Sequence, residues 1–132
     1  MRLQPKGQGL HEVTREVAGW ASAQDIRDGL LTLFLRHTSA SLIIQENADS
    51  DVRRDLEAFF KRLVREDESL YRHNAEGADD MPAHIRTALT QSQLSVPLAG
   101  GRLLLGTWQG IYLFEHRRDP GARELVLHLI GS

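Results

Sequence analysis

The chain has 132 residues, with 16 lysines and arginines against 18 aspartates and glutamates and a formal net charge of −2, which fits a single domain over residues 1–132 and gives no basic footprint for nucleic acid. Cysteine is absent, which excludes disulfides, thiolate nucleophiles and cysteine-ligated metals, so any metal must be bound by histidine, carboxylate or backbone oxygen. No apolar run reaches membrane-spanning length and the first residues lack the apolar centre of a signal peptide, so we expect a cytoplasmic protein without a membrane partner.

The hydrophobic pattern of the first 45 residues predicts three strands and a short helix. Residues Leu10 to Val17 alternate weakly and are typical of a strand. A short helix is predicted from Trp20 to Arg27, where Gly29 would stop it. Two apolar runs then predict central strands over residues 30–36 and 41–45, joined by a bend.

A longer helix follows the second of these central strands. Asp49 or Ser50 can cap its first turn, and apolar residues continue at helical spacing to about Val64. Phe59 and Phe60 are the largest apolar side chains in this stretch. We therefore predict a helix that packs on a sheet and is anchored by both phenylalanines.

The second half of the chain begins with a polar loop and ends in strands. The loop covers residues 66–80, and Pro82 suits the first turn of a second helix that runs to about Thr90. Further strands are predicted over residues 94–98, 102–105, 110–116 and 124–130. Strands at both ends and helices between them predict an α+β fold, a single-domain, mostly antiparallel β-sandwich or sheet with two main helices.

Three polar motifs interrupt these elements in a fixed order. The first runs from His37-Thr38-Ser39-Ala40-Ser41 into Glu46-Asn47-Ala48-Asp49, the second is the stretch His73 to His84, and the third is Gly106-Thr107-Trp108-Gln109-Gly110 with its flanking apolar runs. Taken together they resemble the YjbQ family of small proteins, over nearly the whole chain. The resemblance implies a compact α+β sandwich, a homotrimer and a weak thiamine-phosphate-synthase-like activity.

Histidines are the strongest chemical signal, because imidazole is the natural metal ligand and base when cysteine is absent. Four of the six lie at element ends or in polar loops inside the three motifs, and we expect them to gather around one pocket: His37, His73, His84 and His116. His11 fits an exposed position in the first strand, and His128 fits a packed position in the last strand. We expect a divalent metal, zinc or magnesium, with His73, His84 and His116 as its ligands.

Other polar residues of the motifs are assigned supporting roles. Glu76, Asp79 and Asp80 are candidates for orienting the imidazole rings. Glu115 should point away from His116, into a subunit interface or a salt bridge with Arg117 or Arg36. The predicted catalytic residues are His84, His37, Glu46 and Asn47, and those predicted to bind a cofactor are Thr38, Ser39, Trp108 and Gln109.

Three functions remain open on this basis. The resemblance implies weak thiamine-phosphate synthesis, a reaction in which a divalent metal neutralises the departing pyrophosphate. A His-rich metal site also suits a hydrolase or lyase that acts on a small phosphorylated metabolite. The third function is that of a trimeric ligand-binding protein without catalysis, in which the histidines stabilise the fold.

Overall fold

The computed structural model of the chain describes all of residues 1–132, which contain eight strands and three helices. The strands are β1 (Arg2–Leu3), β2 (Gly9–Glu12), β3 (Gly29–Leu35), β4 (Ala40–Glu46), β5 (Gln93–Ala99), β6 (Arg102–Leu103), β7 (Gln109–Glu115) and β8 (Arg123–Gly131). The helices are α1 (Thr14–Ser22), α2 (Ser50–Leu63) and α3 (Asp80–Leu89), with a short 3-10 turn at Glu68–Leu70. None of the three helices has the length and apolar character needed to cross a membrane.

The strands form two antiparallel sheets that enclose one core. The larger has the order β1-β8-β3-β5-β6 and the smaller the order β2-β7-β4. Alternate residues of β3 are fully buried, and they meet buried residues from the smaller sheet: Leu31, Leu33 and Leu35 from β3 with Leu42, Ile111 and Leu113 from the other sheet. The predicted α+β fold with mostly antiparallel sheets is confirmed.

The first helix is where the sequence prediction was wrong. The strand expected over residues 10–17 ends at Glu12, and α1 spans Thr14–Ser22 rather than residues 20–27. Val13, Val17 and Ala21 are all buried in the core, and their spacing of four residues is that of one helix face. The short helix predicted beside the two main helices therefore exists, but it begins six residues earlier than expected.

Helix α2 has the predicted bounds, but only one of the two phenylalanines predicted to anchor it packs on the sheet. The Asp49 side chain accepts the N–H of Asp51 at 2.9 Å and caps the first turn. The rings of Phe60 and Phe114 lie edge to face with centroids 5.2 Å apart, so Phe60 does anchor the helix to β7. Phe59 is 46% exposed, and the prediction that it shares this role is wrong because it faces away from the sheet.

Helix α3 and the later strands lie close to their predicted positions. Pro82 falls in the first turn of α3, where its missing N–H costs no intrahelical hydrogen bond. Strand β6 is only two residues long, shorter than expected, while β5, β7 and β8 match their predicted ranges to within one or two residues.

A buried ion pair joins the end of β7 to the start of β8. The fully buried Glu115 carboxylate accepts Arg123 Nε at 2.6 Å and Nη2 at 2.5 Å. It also accepts the backbone N–H groups of His116 and Arg117 at 3.1 and 3.0 Å. A salt bridge was expected here, but the expected partners, Arg117 and Arg36, were wrong, since Arg117 turns instead to the carboxylates of residues 79 and 80.

The same arginine holds the connection between β3 and β4. Arg123 Nη2 donates to the Ser39 carbonyl at 3.2 Å and to the Ser39 hydroxyl at 3.0 Å. Its Nη1 lies 3.4 Å from Nδ1 of His37. The loop that carries Thr38 is therefore tied to a charge pair in the interior.

We expect Arg123→Met to lower the free energy of unfolding by about 3–5 kcal/mol, because it leaves the Glu115 charge buried without a partner. The double variant Glu115→Gln/Arg123→Met should recover much of that loss, since glutamine keeps an acceptor for the backbone N–H groups but carries no charge. Chemical denaturation at one protein concentration measures both. Arg102→Met, at an exposed arginine of β6, is the control and should change stability little; an equal loss there would contradict the prediction.

Candidate metal centre

Three side chains converge where the loop after the 3-10 turn meets α3. Asp80 and His84 are four residues apart on α3, so they lie on the same face of the helix. Asp80 Oδ2 is 2.5 Å from Nε2 of His73 and 3.1 Å from Nε2 of His84. The potential ligand atoms of His73, Asp80 and His84 all lie within 4.8 Å of one another. We call these three residues the metal centre.

The orientation of His84 is set by a backbone carbonyl. Its Nδ1 lies 2.9 Å from the oxygen of Thr38, and because a carbonyl can only accept, Nδ1 carries the proton. In the neutral ring Nε2 then bears a lone pair, and this lone pair faces the Asp80 carboxylate. Two acceptors in that position need a cation between them, either a proton or a metal ion. Metal-ligating histidines commonly have this kind of carbonyl partner on the second nitrogen.

Arg117 holds the carboxylate of the centre from the other side. Its Nη1 donates to Asp80 Oδ1, while Nε donates to Asp79 at 3.1 Å and Nη2 to the Glu76 carbonyl at 3.0 Å. Asp80 is only 3% exposed, so one oxygen is committed to arginine and the other is left for the imidazoles. The arginine thereby fixes the shape of the loop before α3.

The electrostatics of the centre favour ionised groups. Burial by itself would raise the pKa of Asp80, but the hydrogen bond with His73 and the charge of Arg117 outweigh it and lower that pKa below its usual value. The hydrogen bond to Asp80 raises the pKa of His73. The pKa of Asp79 is also lowered, because the Arg118 N–H and the Arg117 side chain outweigh its desolvation. Asp80 and the protonated form of His73 therefore stabilise each other.

His37 lies near the centre but is bound elsewhere. It lines a cleft with Thr38, His84, Thr87 and Ser92. Its Nε2 accepts the backbone N–H of Glu124 at 2.7 Å. Burial and the neighbouring Arg123 charge lower the pKa of His37. The ring is thus a neutral acceptor that links the loop to β8 and does not point a free nitrogen at the metal centre.

His116, expected as a metal ligand, lies in the interior and is not one of the three converging residues. It is 1% exposed, and its Nε2 is 2.9 Å from the hydroxyl of Ser41, which also accepts the hydroxyl of Thr90 at 2.6 Å. Burial, with the charges of Arg86 and Arg123, lowers the pKa of His116 to about 3. The His116 ring packs against Phe114 in the interior, with ring centroids 4.3 Å apart. The third residue of the centre, beside His73 and His84, is therefore Asp80.

The remaining predicted site residues lie at the opposite end of the smaller sheet. In the β4–β7 pair, Glu46 faces Gln109 at one end and Ala40 faces Glu115 at the other. We call the second end the histidine end, because His37 and His116 adjoin it in the sequence. Six residue steps along a strand separate the two ends by about 20 Å. Glu46, Asn47, Trp108 and Gln109 therefore do not share the histidine cleft within one protomer, and Trp108 is 61% exposed.

The residues at that far end make contacts of their own. Asn47 Nδ2 donates to Glu12 at 2.9 Å, and Gln109 Oε1 accepts the Gly106 N–H at 2.7 Å. Of the two other residues predicted to bind a cofactor, Thr38 contributes its carbonyl to His84 and Ser39 bonds Arg123. Four of the eight residues expected to be catalytic or to bind a cofactor thus lie at the histidine end: His84, His37, Thr38 and Ser39.

Sequence reasoning named Asp80 only as a possible ring-orienting carboxylate, and it named Arg117 as a possible partner of Glu115 or a cation beside a departing pyrophosphate, not as the partner of Asp80. The signal for Asp80 was its spacing of four residues from His84 at the start of a predicted helix. No local pattern marks Arg117, because its role depends on the approach of β7 to the loop before α3.

Comparison with known proteins gives one consistent result. The family described as "UPF0047 protein YjbQ-like" matches residues 1–132. The chain is 52% identical to UPF0047 protein sll1880 of Synechocystis over 127 residues (96% of this chain, 86% of that protein), and 46% identical to UPF0047 protein YjbQ of Escherichia coli O157:H7 over 133 residues (100% and 96%). It also resembles the crystal structure of an uncharacterised yjbq/upf0047 protein from Clostridium acetobutylicum, with 32% identity, a TM-score of 0.85 and 98% and 96% of the two chains covered.

We expect His73 of the metal-free protein to titrate above its ordinary pKa of about 6.5, because Asp80 stabilises its charged form. The pair therefore stabilises the fold between the lowered pKa of Asp80 and the raised pKa of His73, and this contribution is lost as pH rises through the latter. Imidazole NMR signals measure the titration. Asp80→Asn should bring the midpoint down towards about 6.5, while Asp25→Asn, at an exposed carboxylate elsewhere, should not move it. A wild-type midpoint at or below about 6.5 would contradict the assignment.

Proposed function

The chain belongs to the YjbQ-like UPF0047 family, and on that premise we propose that it is a metal-dependent enzyme that acts on a small phosphorylated metabolite at the centre formed by His73, Asp80 and His84. One observation carries the proposal. The Thr38 carbonyl turns the lone pair of His84 Nε2 towards the Asp80 carboxylate, so that the resting geometry calls for a cation.

The ligand set suits a catalytic rather than a structural metal. Two imidazoles and one carboxylate leave coordination positions for water and substrate, whereas structural zinc sites are closed by four protein ligands. The side chains of His73 and His84 are 43% and 33% exposed, so the centre is open to solvent. A divalent metal bound there supplies Lewis acidity and a water of lowered pKa.

The protein residues around the centre have separate roles in this proposal. Asp80 contributes the negative charge, and Arg117 keeps its orientation by occupying the other oxygen. The exposed Glu76 carboxylate lies 3.3 Å from His73 Nε2 and is placed to accept a proton at the edge of the centre. Thr38 and Thr87 line the adjoining cleft, where their polar groups can contact a substrate.

More than one reaction is compatible with this centre. Hydrolysis or elimination at a phosphorylated metabolite fits a single metal with open positions. The thiamine-phosphate-synthase-like activity implied by the family resemblance is a metal-assisted reaction at phosphate as well, and it stays a prediction. A metal-loaded assay should therefore include both phosphate esters and the two halves of thiamine phosphate. Turnover that survives in His84→Ala and in Asp80→Asn would overturn the proposed centre.

We predict that zinc binds the wild-type protein and that His73→Ala, Asp80→Asn and His84→Ala each weaken binding at least about 100-fold, because each removes a ligand. Competition with a chromophoric chelator measures the affinity. Affinity should fall as pH drops through the raised pKa of His73, since a proton then competes for its nitrogen.

His11→Ala is the matched control for the zinc experiment, because it removes a histidine of β2, which belongs to the smaller sheet and lies outside the centre. It should bind zinc like the wild type. An equal loss of affinity in this variant, or a wild-type affinity no higher than that of His84→Ala, would favour the third function, a trimeric ligand-binding protein without catalysis. Circular dichroism establishes that each variant is folded.

We also propose that the chain forms a homotrimer through the outer face of the larger sheet. Exposed apolar residues of β3 and β8 lie directly opposite one another there, as Leu30 with Ile130 and Phe34 with Val126. These two apolar pairs flank the polar pair Thr32 and His128 on the same face, and exposed apolar residues grouped on one face are typical of an interface. The resemblance to the YjbQ family supplies the expected number of subunits.

Light scattering should give a trimer mass for the wild type at micromolar concentration and a lower mass for Phe34→Glu, because a charge buried in the interface is left without a partner. Leu104→Glu places the same charge on an exposed leucine outside this face and should leave the trimer intact. A monomeric wild-type protein would contradict the proposal.

A further inference from the structure

A basic cleft lies at the C-terminal end of α2, apart from the metal centre. It has a volume of about 420 Å³, and no hydrophobic residue lines it. Its six lining residues include four cations and one carboxylate: Gln8, Lys61, Arg65, Glu66, Arg86 and Arg118. Glu66 is already paired with Arg118. The cleft therefore concentrates positive charge that the surrounding protein does not neutralise.

Arg86 is the residue of the cleft that most clearly lacks a partner. It is only 3% exposed, its Nη2 donates to the Val64 carbonyl at 2.6 Å, and its Nε has no hydrogen-bond partner. No carboxylate lies within salt-bridge distance of it. A buried cation without a counter-ion is costly, and burial lowers the pKa of the Arg86 guanidinium because Tyr71 and Asp79 offset it only in part.

The acidic groups near Arg86 are bound elsewhere. Asp79 accepts from the Arg117 side chain and from the N–H of Arg118 at 2.9 Å. Glu57, in the recess that adjoins the cleft, accepts the Leu10 N–H at 3.0 Å. His116, in the same recess, is kept neutral by burial. Asp79 and Glu57 are thus each engaged in other hydrogen bonds, and neither forms an ion pair with Arg86.

We propose that this cleft binds a phosphate-type oxyanion, either inorganic phosphate or pyrophosphate or the terminal phosphate group of a small metabolite. Arg86 would lie beneath the anion and present its planar fork of donors, which matches phosphate oxygens. Lys61, in the last turn of α2, and Arg65, two residues beyond the end of that helix, approach from the rim. Several cations around one cleft fit the multiple charge of phosphate better than the single charge of a carboxylate.

The oxyanion site is separate from the metal centre. Arg86 follows His84 by two positions on α3, which places it roughly 200° around the helix axis from His84. The proposal therefore does not require metal to bind. His84→Ala should bind anions as the wild type does, so that failure of the metal centre and failure of the oxyanion site are distinguishable.

Calorimetric titration of the metal-free protein with inorganic pyrophosphate, at fixed ionic strength set with chloride, tests the site. We expect one pyrophosphate per chain and at least a tenfold loss of affinity, about what one charge-assisted hydrogen bond contributes, in Lys61→Ala/Arg65→Ala. Arg54→Ala/Arg62→Ala also removes two positive charges, but from exposed positions of α2 that do not line the cleft. It should change the affinity by less than about twofold, because distant exposed charges are screened.

Arg86→Gln should abolish binding in protein whose circular dichroism and melting temperature match the wild type. Because Arg86 is buried, the double variant at Lys61 and Arg65 decides the question if the glutamine variant does not fold. Absence of binding to wild type up to about 10 mM pyrophosphate, weaker than most specific sites, would overturn the proposal. Equal losses in the two double variants would also overturn it, since they would show attraction to net charge rather than a site.

Discussion

The buried carboxylate of Glu115 is the group on which both sides of the metal centre depend. One of its contacts is the Arg123 guanidinium, which holds the loop whose carbonyl, that of Thr38, orients His84. Another is the backbone N–H of Arg117, whose side chain grips the carboxylate of the centre. A single buried charge therefore aligns two loops that are far apart in sequence. Its own burial is tolerable because every oxygen is hydrogen-bonded.

Helix α3 carries groups of opposite charge on different faces. Asp80 and His84 face the loop that precedes the helix and together suit a cation. Arg86 faces the end of α2 and lacks an anionic partner. Residues four positions apart lie on the same helix face and residues two positions apart do not, so the sequence Asp-x-x-x-His-x-Arg supplies both environments within two turns. The helix can thus contribute to a metal centre and an oxyanion site that do not compete.

Local patterns were sufficient for most of the secondary structure. The apolar runs of β3 and β4 and the capped, periodic stretch of α2 each contain their own signal, and all three were predicted nearly at their observed bounds. The stretch around Val13 and Val17 fits a strand or a helix equally well, and only the packing of its residues in the core favours the helix. Phe59 and Phe60 are adjacent, so helical geometry alone requires them to face different directions.

The sequence by itself determined the chemical inventory: imidazoles without thiols, a polar loop that ends in Asp80, and the helical spacing of Asp80 and His84. Only the tertiary structure decided which of these groups meet. His116 is excluded from the centre because the smaller sheet buries its face of β7, and Glu46 and Trp108 lie far from the histidines because β4 and β7 pair along their full length. Strand register and burial arise from contacts between distant segments, so no local pattern of residues encodes them.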